Sequence, residues 1–498
     1  MKIFKTNDTQ WENRHETFKQ EIRNLYKLAN GDGDALSTYH AATKGFQALI
    51  QEAIDTNSTL RGLGSGWSWT RIAATDGVIL DTKSLNTVFE ISVRSVHPNY
   101  TGDRSKLFLA QCGTAVWELS AFLRQRGLSL KTSGASNGQT ICGVIATGAH
   151  GSAFDTGAVQ DFVVGLHIVT GANQHVYLER ASYPVVSDSF VAQLGAELKR
   201  DDDLFNAALV SFGSFGIIHG VMVETEDLFL LEGYMERRPF DATLRKLIST
   251  LDFSQANLPC GNERPYHFQM LINPYDIEKG AYVTTMYKRP FSNGYIPPMP
   301  NLNGLGPGDD APCFVGKLTN AVPQLVPLLV NKLLAGSLTL YNKQMGTLSE
   351  MFSNTSLHGK LLSAAIGVPI ERLNEVIDLL LSMNNGPDGP FSGLFAFRFI
   401  KQSKGLLAFT RFPFTCVVEL DGAFSDKTQE FYKAVWQQLD AHNIPYAFHW
   451  GKVNELTPAR MQKMYGADLD KWLQARQQLL EPAAMKVFTN KIMQEWGL

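Results

Sequence analysis

Two glycine-rich stretches restrict this 498-residue chain more than any other feature. The first, LRGLGSGWSWT (residues 60–70), sets Gly62, Gly64 and Gly66 at alternating positions ahead of Trp67 and Ser68. The second, KTSGASNGQTICGVIATGAHGSAF (131–154), alternates glycines with small hydroxyl residues. Glycines at this density let a backbone approach another group closely. A dinucleotide turn of the GxGxxG kind needs a strand before it and a long helix straight after it, so that a pyrophosphate sits on the helix N-terminus. After Gly66 the chain instead reads WSWTRIAATDGVILDT, which is aromatic and β-branched, turns at Asp76-Gly77 and enters a strand. No helix opens there, which argues against a nicotinamide-type fold. The second stretch can wrap a polyphosphate with backbone N–H groups, to which Ser and Thr hydroxyls add donors. One such stretch reads as tight sheet packing. Two, separated by strands and the helix AVWELSAFLRQRG, point to a dinucleotide held by loops.

The bulk properties narrow the class. The length exceeds what one core supports, so two or more lobes are expected. Acidic residues number 48 and basic ones 45, with no Lys/Arg block, which excludes nucleic acid as a partner. The cysteines (Cys112, Cys142, Cys260, Cys313 and Cys416) are odd in number and include no CxxC pair, so neither a disulfide framework nor a metal site is expected. That usage and an N-terminus without a signal-peptide apolar region suit a reducing cytoplasm. The most apolar tract, VPQLVPLLVNKLLAG (322–336), is interrupted by prolines, Asn331 and Lys332. It is too short to span a membrane and reads as a buried or lid-like helix.

Periodicity divides the chain. Residues 16–55 read mainly as helical. Residues 59–180 alternate short strands (GVILDT, KLFLAQCG, FVVGLHIVTG, HVYLER) with Gly-rich turns. The segment DDDLFNAALVSFGSFGIIHGVMVE reads as helix, turn and strand. From about 233 long strands predominate, among them LFAFRFIK and TCVVELDG, with the helices IERLNEVIDLLLSM and QEFYKAVWQQLDAHN between them. This is an α+β pattern with a large antiparallel sheet covered on one face. The expected lobes are 1–232, 233–430, and a helical segment 431–498 packing back on the first. A long Pro/Gly-rich loop is expected over 289–313.

The ordered series RGLGSGWSW, DGVILDTKSLNTV, QCGTAVWELSAFLRQRGLSL, GQTICGVIATGAHGSA and SFGIIHGVMVE resembles the FAD-binding domain of the vanillyl-alcohol-oxidase superfamily. With WEN near the start and FRFIK, TCVVELDG and HWGK in the second half, the chain is similar to the sugar-lactone and alditol oxidase branch, which shares features with covalent-flavin cholesterol oxidases. The resemblance implies a two-lobed FAD-binding domain, a substrate domain on the large sheet, and FAD as cofactor. It places Gly62, Leu63, Gly64, Ser65, Gly66, Trp67 and Ser68 in a loop over the pyrophosphate. Gly134, Thr140, Gly143, Thr147, Gly148, His150 and Gly151 line the flavin and diphosphate, and Gly216 and Ile218 supply backbone contacts. Residues 289–345 read as an insertion.

The same resemblance implies the chemistry. Many members carry a flavin-linking His at the position of Trp67. Indole has no comparable nucleophile and Cys142 lies too late in the motif, so FAD is expected to be bound non-covalently, with Trp67 against the dimethylbenzene edge. Arg398 and Lys452 match the family's catalytic cations; His267, Arg398 and His449 are substrate-site candidates, and Lys452 also reaches the cofactor. Ala396 stands where the family's ExR motif has Glu. A polyol needs several buried polar partners, so the loss of Glu leans toward a larger, more apolar alcohol. Gly134 stands where family enzymes that exclude oxygen carry Ala, which implies an oxidase using O2; a same-fold dehydrogenase and a silent FAD-binding protein are the alternatives.

Overall fold

The computed structural model describes residues 1–151, 153–298, 320–353 and 360–498. Three sheets of four or more strands organise it. The first has the order Lys2–Lys5, Asn24–Ala29, Val78–Ser84, Leu60–Leu63. Its last two pairings are parallel. Parallel neighbours need a crossover, and the helix Ala35–Asp55 provides one, capped where the Asp34 side chain accepts from the Ser37 N–H. Phe46, Leu49, Ile50 and Ala53 recur at helical spacing and pack on Leu60, Val78 and Leu80 of the sheet. Residues 16–34 are therefore not helical: Lys19–Glu21 and Asn24–Ala29 are strands. Short runs such as NLYKLA carry too few residues for periodicity to separate the two states.

The second sheet has the order Glu197–Arg200, His175–Glu179, Val163–Val169, Ile217–Glu224, Leu107–Gln111, Val88–Glu90. Every residue of Val163–Val169 is buried, as a central strand covered on both faces requires. The sequence spacing of the helix Val116–Arg124 predicts an apolar face of Val116, Leu119, Phe122 and Leu123; Val116, Leu119 and Leu123 are buried in this core and Phe122 packs against it partly exposed.

The third sheet has eight strands, in the order Tyr341–Thr347, Phe229–Arg238, Ala281–Pro290, His267–Ile272, Gly393–Lys401, Phe414–Ala423, Leu361–Pro369, Ala447–Phe448. Its pairings are antiparallel. Alternation gives its two faces different jobs. Phe395 and Phe397 join the core built with the helices Leu373–Asn384 and Asp426–Ala441. Leu394, Ala396 and Arg398 lie on the opposite face. Away from Arg398 that face is covered by the chain itself: Met235, Leu271, Tyr282 and Ala396 form an apolar cluster on which Leu338 and Tyr341 pack. Leu338 directly follows the helix Val326–Ser337, the element predicted at 322–336. The loop predicted at 289–313 lies largely outside the described residues.

After Ala447–Phe448 the chain is helical and lies on the first two sheets. The Trp472 indole N–H donates to the Val210 carbonyl at 3.0 Å, and the Asn490 amide donates to the Ile72 and Ala74 carbonyls at 3.0 and 2.8 Å. Ala484, Val487 and Phe488 pack in the same cluster as the helix Ala35–Asp55. Among the described residues no helix is long and apolar enough to cross a membrane.

Candidate active site

A cavity of about 450 Å³ lies between the two glycine-rich loops and the uncovered part of the eight-stranded sheet. Of the residues singled out from the sequence, Gly62 to Ser68, Gly134, Thr140, Gly143, Thr147, His150, Gly216, Ile218, Arg398, His449 and Lys452 line it. Gly148, Gly151 and His267 do not. Gly148 turns at φ +61° beside Val210 and Trp450, and Gly151 packs on Thr132. His267 is buried on its strand with its ring edge against Phe352, away from the cavity.

The loops hold each other. A Cβ at Gly64 would lie 2.1 Å from the Thr140 Oγ1, so Gly64 is what lets the first loop seat on the second. The Ser65 hydroxyl donates to the Gly138 carbonyl at 2.8 Å and the Thr147 hydroxyl to the Gly143 carbonyl at 2.8 Å. These hydroxyls therefore stiffen the loops instead of facing a ligand. The first loop is also clamped from outside. Between the paired strands Gln10–Glu12 and Lys19–Glu21, the Arg14 N–H donates to the Gly66 carbonyl at 2.8 Å and the Asn13 amide to the Ser68 carbonyl at 3.0 Å. The Arg14 guanidinium sits 4.6 Å over the Trp67 ring, and His15 stacks on Trp69 at 3.8 Å. Trp69 in turn donates its indole N–H to the Leu361 carbonyl at 2.9 Å, which ties the loop to the large sheet.

The cavity suits a flavin dinucleotide. Two close-packed backbone loops border it, and a Cβ at Gly62 would meet nothing within 4 Å, so backbone is presented to the interior without side chains. At Gly134 a Cβ would meet only the His150 and Ser136 carbonyls, each at 3.6 Å, so this backbone too is open. Trp67 and Cys142 both line the cavity. Burial pushes the Cys142 thiol well above its ordinary range, leaving it without the thiolate that a covalent link needs.

The floor of the cavity carries a charge cluster. Arg398 comes from Gly393–Lys401, Glu419 and Asp421 from Phe414–Ala423, and Ser363 from Leu361–Pro369. Lys452 and His449 follow the last strand, and His150 comes from the second glycine-rich loop. Glu419 is at the centre. It pairs with Lys452, with Arg398 at 3.1 Å, and with the His150 Nε2 at 3.5 Å. Its side chain is only 5% exposed. Burial alone would raise the Glu419 carboxyl, but the Arg398 and Lys452 cations outweigh it and hold the group well below the usual carboxylate range. Asp421 differs: its side chain is 44% exposed, one oxygen lies 3.9 Å from Lys452, and the Ser363 hydroxyl donates to it. Partial burial raises its carboxyl from the ordinary value, the Lys452 cation opposes the rise, and the Glu419 charge adds to it. Burial lowers both His150 and His449. The His449 Nδ1 accepts from the Gly451 N–H at 3.1 Å, which leaves Nε2 as the protonated nitrogen of a neutral ring.

Sequence reasoning missed Glu419, and the reason is register. Ala396 stands directly opposite Glu419 on the neighbouring strand. Opposed residues share a face with their Cβ atoms about 4.5–5.5 Å apart, so the carboxylate absent at 396 is supplied from across the ladder and still pairs with Arg398. Ala396 itself belongs to the apolar cluster that Leu338 and Tyr341 cover. The lost Glu therefore opens no apolar pocket, and the argument for a large apolar alcohol loses its basis. The alternation in TCVVELDG already put Glu419 and Asp421 on one face; which strand lies beside it was not readable.

Replacing Glu419 with Gln leaves two buried cations without their counter-charge. Breaking a buried pair costs about 3–5 kcal/mol, which denaturant unfolding at neutral pH will measure for Glu419→Gln. Because the folded-state carboxyl is depressed, its contribution is complete above the unfolded value of about 4.3 and is lost as the pH falls below it. The wild type is thus expected to lose stability more steeply than the variant on acidification below about pH 5. Parallel acid limbs in the two proteins would contradict the assignment.

Comparison with known proteins agrees with this geometry. Residues 41–177 match the family model described as an FAD binding domain. The chain is 24% identical over 418 residues to L-gulono-1,4-lactone dehydrogenase of Mycobacterium tuberculosis, covering 84% of this chain and 86% of that protein. It is 26% identical over 198 residues to D-arabinono-1,4-lactone oxidase of Candida glabrata, covering 40% and 33%. Among solved structures it is similar to cholesterol oxidase from Brevibacterium sterolicum, with a TM-score of 0.71 and 14% identity over 99% of this chain and 97% of that one. At that identity the likeness concerns the fold.

Proposed function

We propose that this flavoprotein of the vanillyl-alcohol-oxidase superfamily oxidises a CH–OH group of a small, polyhydroxylated substrate of the aldonolactone kind, with FAD held non-covalently and O2 as the final electron acceptor. The observation that carries the proposal is the Arg398–Glu419–Lys452 cluster on the floor of a cavity shaped for FAD. FAD, when bound, supplies the hydride acceptor. The protein's own groups do the rest. Arg398 and Lys452 are fixed cations in a water-poor site, and Glu419 keeps them in place, so negative charge developing on the substrate oxygen meets a preorganised field. Asp421 is open to the cavity, with its carboxyl raised above its ordinary value, and would take the hydroxyl proton. Ser363, Asp421 and His449 add polar partners for further hydroxyls, which suits a lactone better than a monohydric apolar alcohol. Trp67 walls the cavity on the side of the first loop and would pack against the flavin.

A dehydrogenase on the same fold is the second reading, favoured by the name of the mycobacterial relative. Anaerobic reduction by a lactone panel followed by admission of air separates the two.

Three outcomes test the proposal. Lys452→Met is expected to retain FAD but slow flavin reduction by roughly a hundredfold or more, the scale of one lost transition-state donor; stopped-flow absorbance reads this directly, and unchanged reduction would remove Lys452 from the chemistry. Gly134→Ala adds a methyl that the neighbouring carbonyls tolerate. It should slow reoxidation by O2 far more than it slows reduction, and equal reoxidation rates would refute an oxygen path at Gly134. Acid precipitation should release all the FAD into the supernatant, because neither Trp67 nor the buried Cys142 thiol can attach it. Yellow colour retained in the pellet would point to a covalent link.

A further inference from the structure

Arg61 is the residue whose environment the proposed chemistry leaves unexplained. It sits on the strand Leu60–Leu63 just before the first glycine, is 2% exposed and lines the cavity. One terminal nitrogen donates to the Phe212 carbonyl and the other to the Met493 sulfur, each at 2.9 Å. Its Nε is buried without a hydrogen-bond partner. Among the described residues no carboxylate forms an ion pair with it. The charged group nearest in effect is a second cation, Arg476, and burial together with that cation brings Arg61 down to about 9. Arg476 is 4% exposed and has no carboxylate partner among the described residues either. It donates to the Ser214 carbonyl at 3.0 Å, the Met485 carbonyl at 3.2 Å and the Thr489 hydroxyl at 2.6 Å.

Several other arginines of low exposure have a carboxylate partner. Arg398 pairs with Glu419, Arg200 with Glu179 and Arg237 with Asp276. Arg180, 7% exposed, has none at ion-pair distance among the described residues but lies in the field of Asp161, Asp202 and Glu224. A buried charge without a counter-charge is strongly unfavourable, and two of one sign near each other compound the cost. Both arginines grip the same turn. Arg61 takes the Phe212 carbonyl and Arg476 the Ser214 carbonyl, while Phe212 and Gly213 are held at φ +55° and +67°. With those carbonyls turned toward the guanidinium groups, Phe212, Gly213 and Gly216 border the same cavity as Gly62 and Gly64. A dianion between the two loops would supply the missing counter-charge.

We propose that Arg61, backed by Arg476 through the 211–216 turn, is the electrostatic counterpart of the FAD diphosphate. The protein carries an unneutralised positive charge at this end of the cavity until the cofactor arrives. The proposal rests on the FAD reading above. It makes Arg61 a binding residue and Arg476 a positioning residue. The competing role is a purely structural clamp between the turn and the C-terminal helix Lys491–Trp496.

The two roles differ in the sign of one effect. If Arg61 serves the diphosphate, Arg61→Met weakens FAD binding on the order of tenfold or more, measured by fluorescence of the flavin released from purified holoprotein. Riboflavin, which has the same ring and no phosphate, then binds about as it does to wild type. The thermal midpoint of the flavin-free fraction stays equal or rises, because a buried lone cation has been replaced by an apolar side chain. Arg61→Lys keeps the charge and keeps most of the FAD affinity. Unchanged FAD binding in Arg61→Met, equal weakening of FAD and riboflavin, or a lysine variant as weak as the methionine one would each overturn the proposal. Should Arg61→Met fail to fold, flavin-free wild type still decides: ADP must compete with FAD far better than adenosine does, and equal competition would also overturn it. A wild type that is colourless as purified and takes up no added FAD ends the FAD reading itself, whereas a yellow wild type with an indifferent Arg61→Met ends only this inference.

Discussion

The active site depends on one buried carboxylate. Glu419 lies under the cavity floor between Arg398 and Lys452, and neither cation could be held there in a water-poor enclosure without it. All of these groups border the cavity, Arg398 and Lys452 are little more exposed than Glu419, and Asp421 beside them is the most open, so the cluster meets the cavity nearly neutral. In the proposed reaction negative charge develops on the substrate oxygen, and Arg398 and Lys452 would meet it already oriented. The antiparallel sheet makes this possible. It brings Arg398, Glu419, Asp421 and Ser363 from three adjacent strands onto one face, and the ladder fixes their spacing.

The opposite wall is built on a different principle. Apart from Trp67 and Trp69 the glycine-rich loops carry few bulky side chains, and they are held by contacts on every side. Gly64 seats on Thr140, Ser65 binds the Gly138 carbonyl, and Trp69 reaches the edge of the large sheet. Arg14, Asn13 and His15 close the outside of the Trp67 loop, so a short N-terminal hairpin far from the chemistry in sequence determines where Trp67 can be. A cation over an indole and a stacked imidazole fix this loop from the protein side.

What was legible in the sequence follows from range. Helix faces and strand cores depend on neighbours three or four residues away, and Val116, Leu119 and Leu123 or the strand Val163–Val169 fell where their spacing placed them. The glycine-rich loops were legible because their composition suits little else. Pairing between strands was not. Ala396 looked like a lost carboxylate because the strand that replaces it lies beyond a turn, and nothing local says that residue 419 faces residue 396. His267 illustrates the reverse error: a histidine on a strand of the right sheet has even odds of the right neighbourhood, and here it packs under Phe352. Arg61 was passed over because it is a single residue ahead of a motif. Its significance is that no carboxylate among the described residues forms an ion pair with it, which only three-dimensional neighbours reveal.

These features together give the cavity two ends that carry cations, with different degrees of neutralisation. At the floor, Arg398 and Lys452 share Glu419, and charge is balanced before any ligand binds. At the other end, Arg61 and Arg476 have no such partner. The difference matches the lifetime of the negative charge each end would meet. Charge on a reacting oxygen exists only near the transition state, so its stabilising cations must be tolerable at rest, and a permanent internal counter-ion makes them so. A diphosphate stays as long as the cofactor does, so the protein can leave its cations waiting and let binding complete the charge balance. A carboxylate placed beside Arg61 would make the empty protein more comfortable and the cofactor less welcome, since it would compete with the diphosphate for the same guanidinium. The lack of a counter-ion at one end and the buried one at the other are two answers to a single requirement, that net charge be smallest in the state in which the enzyme spends its time.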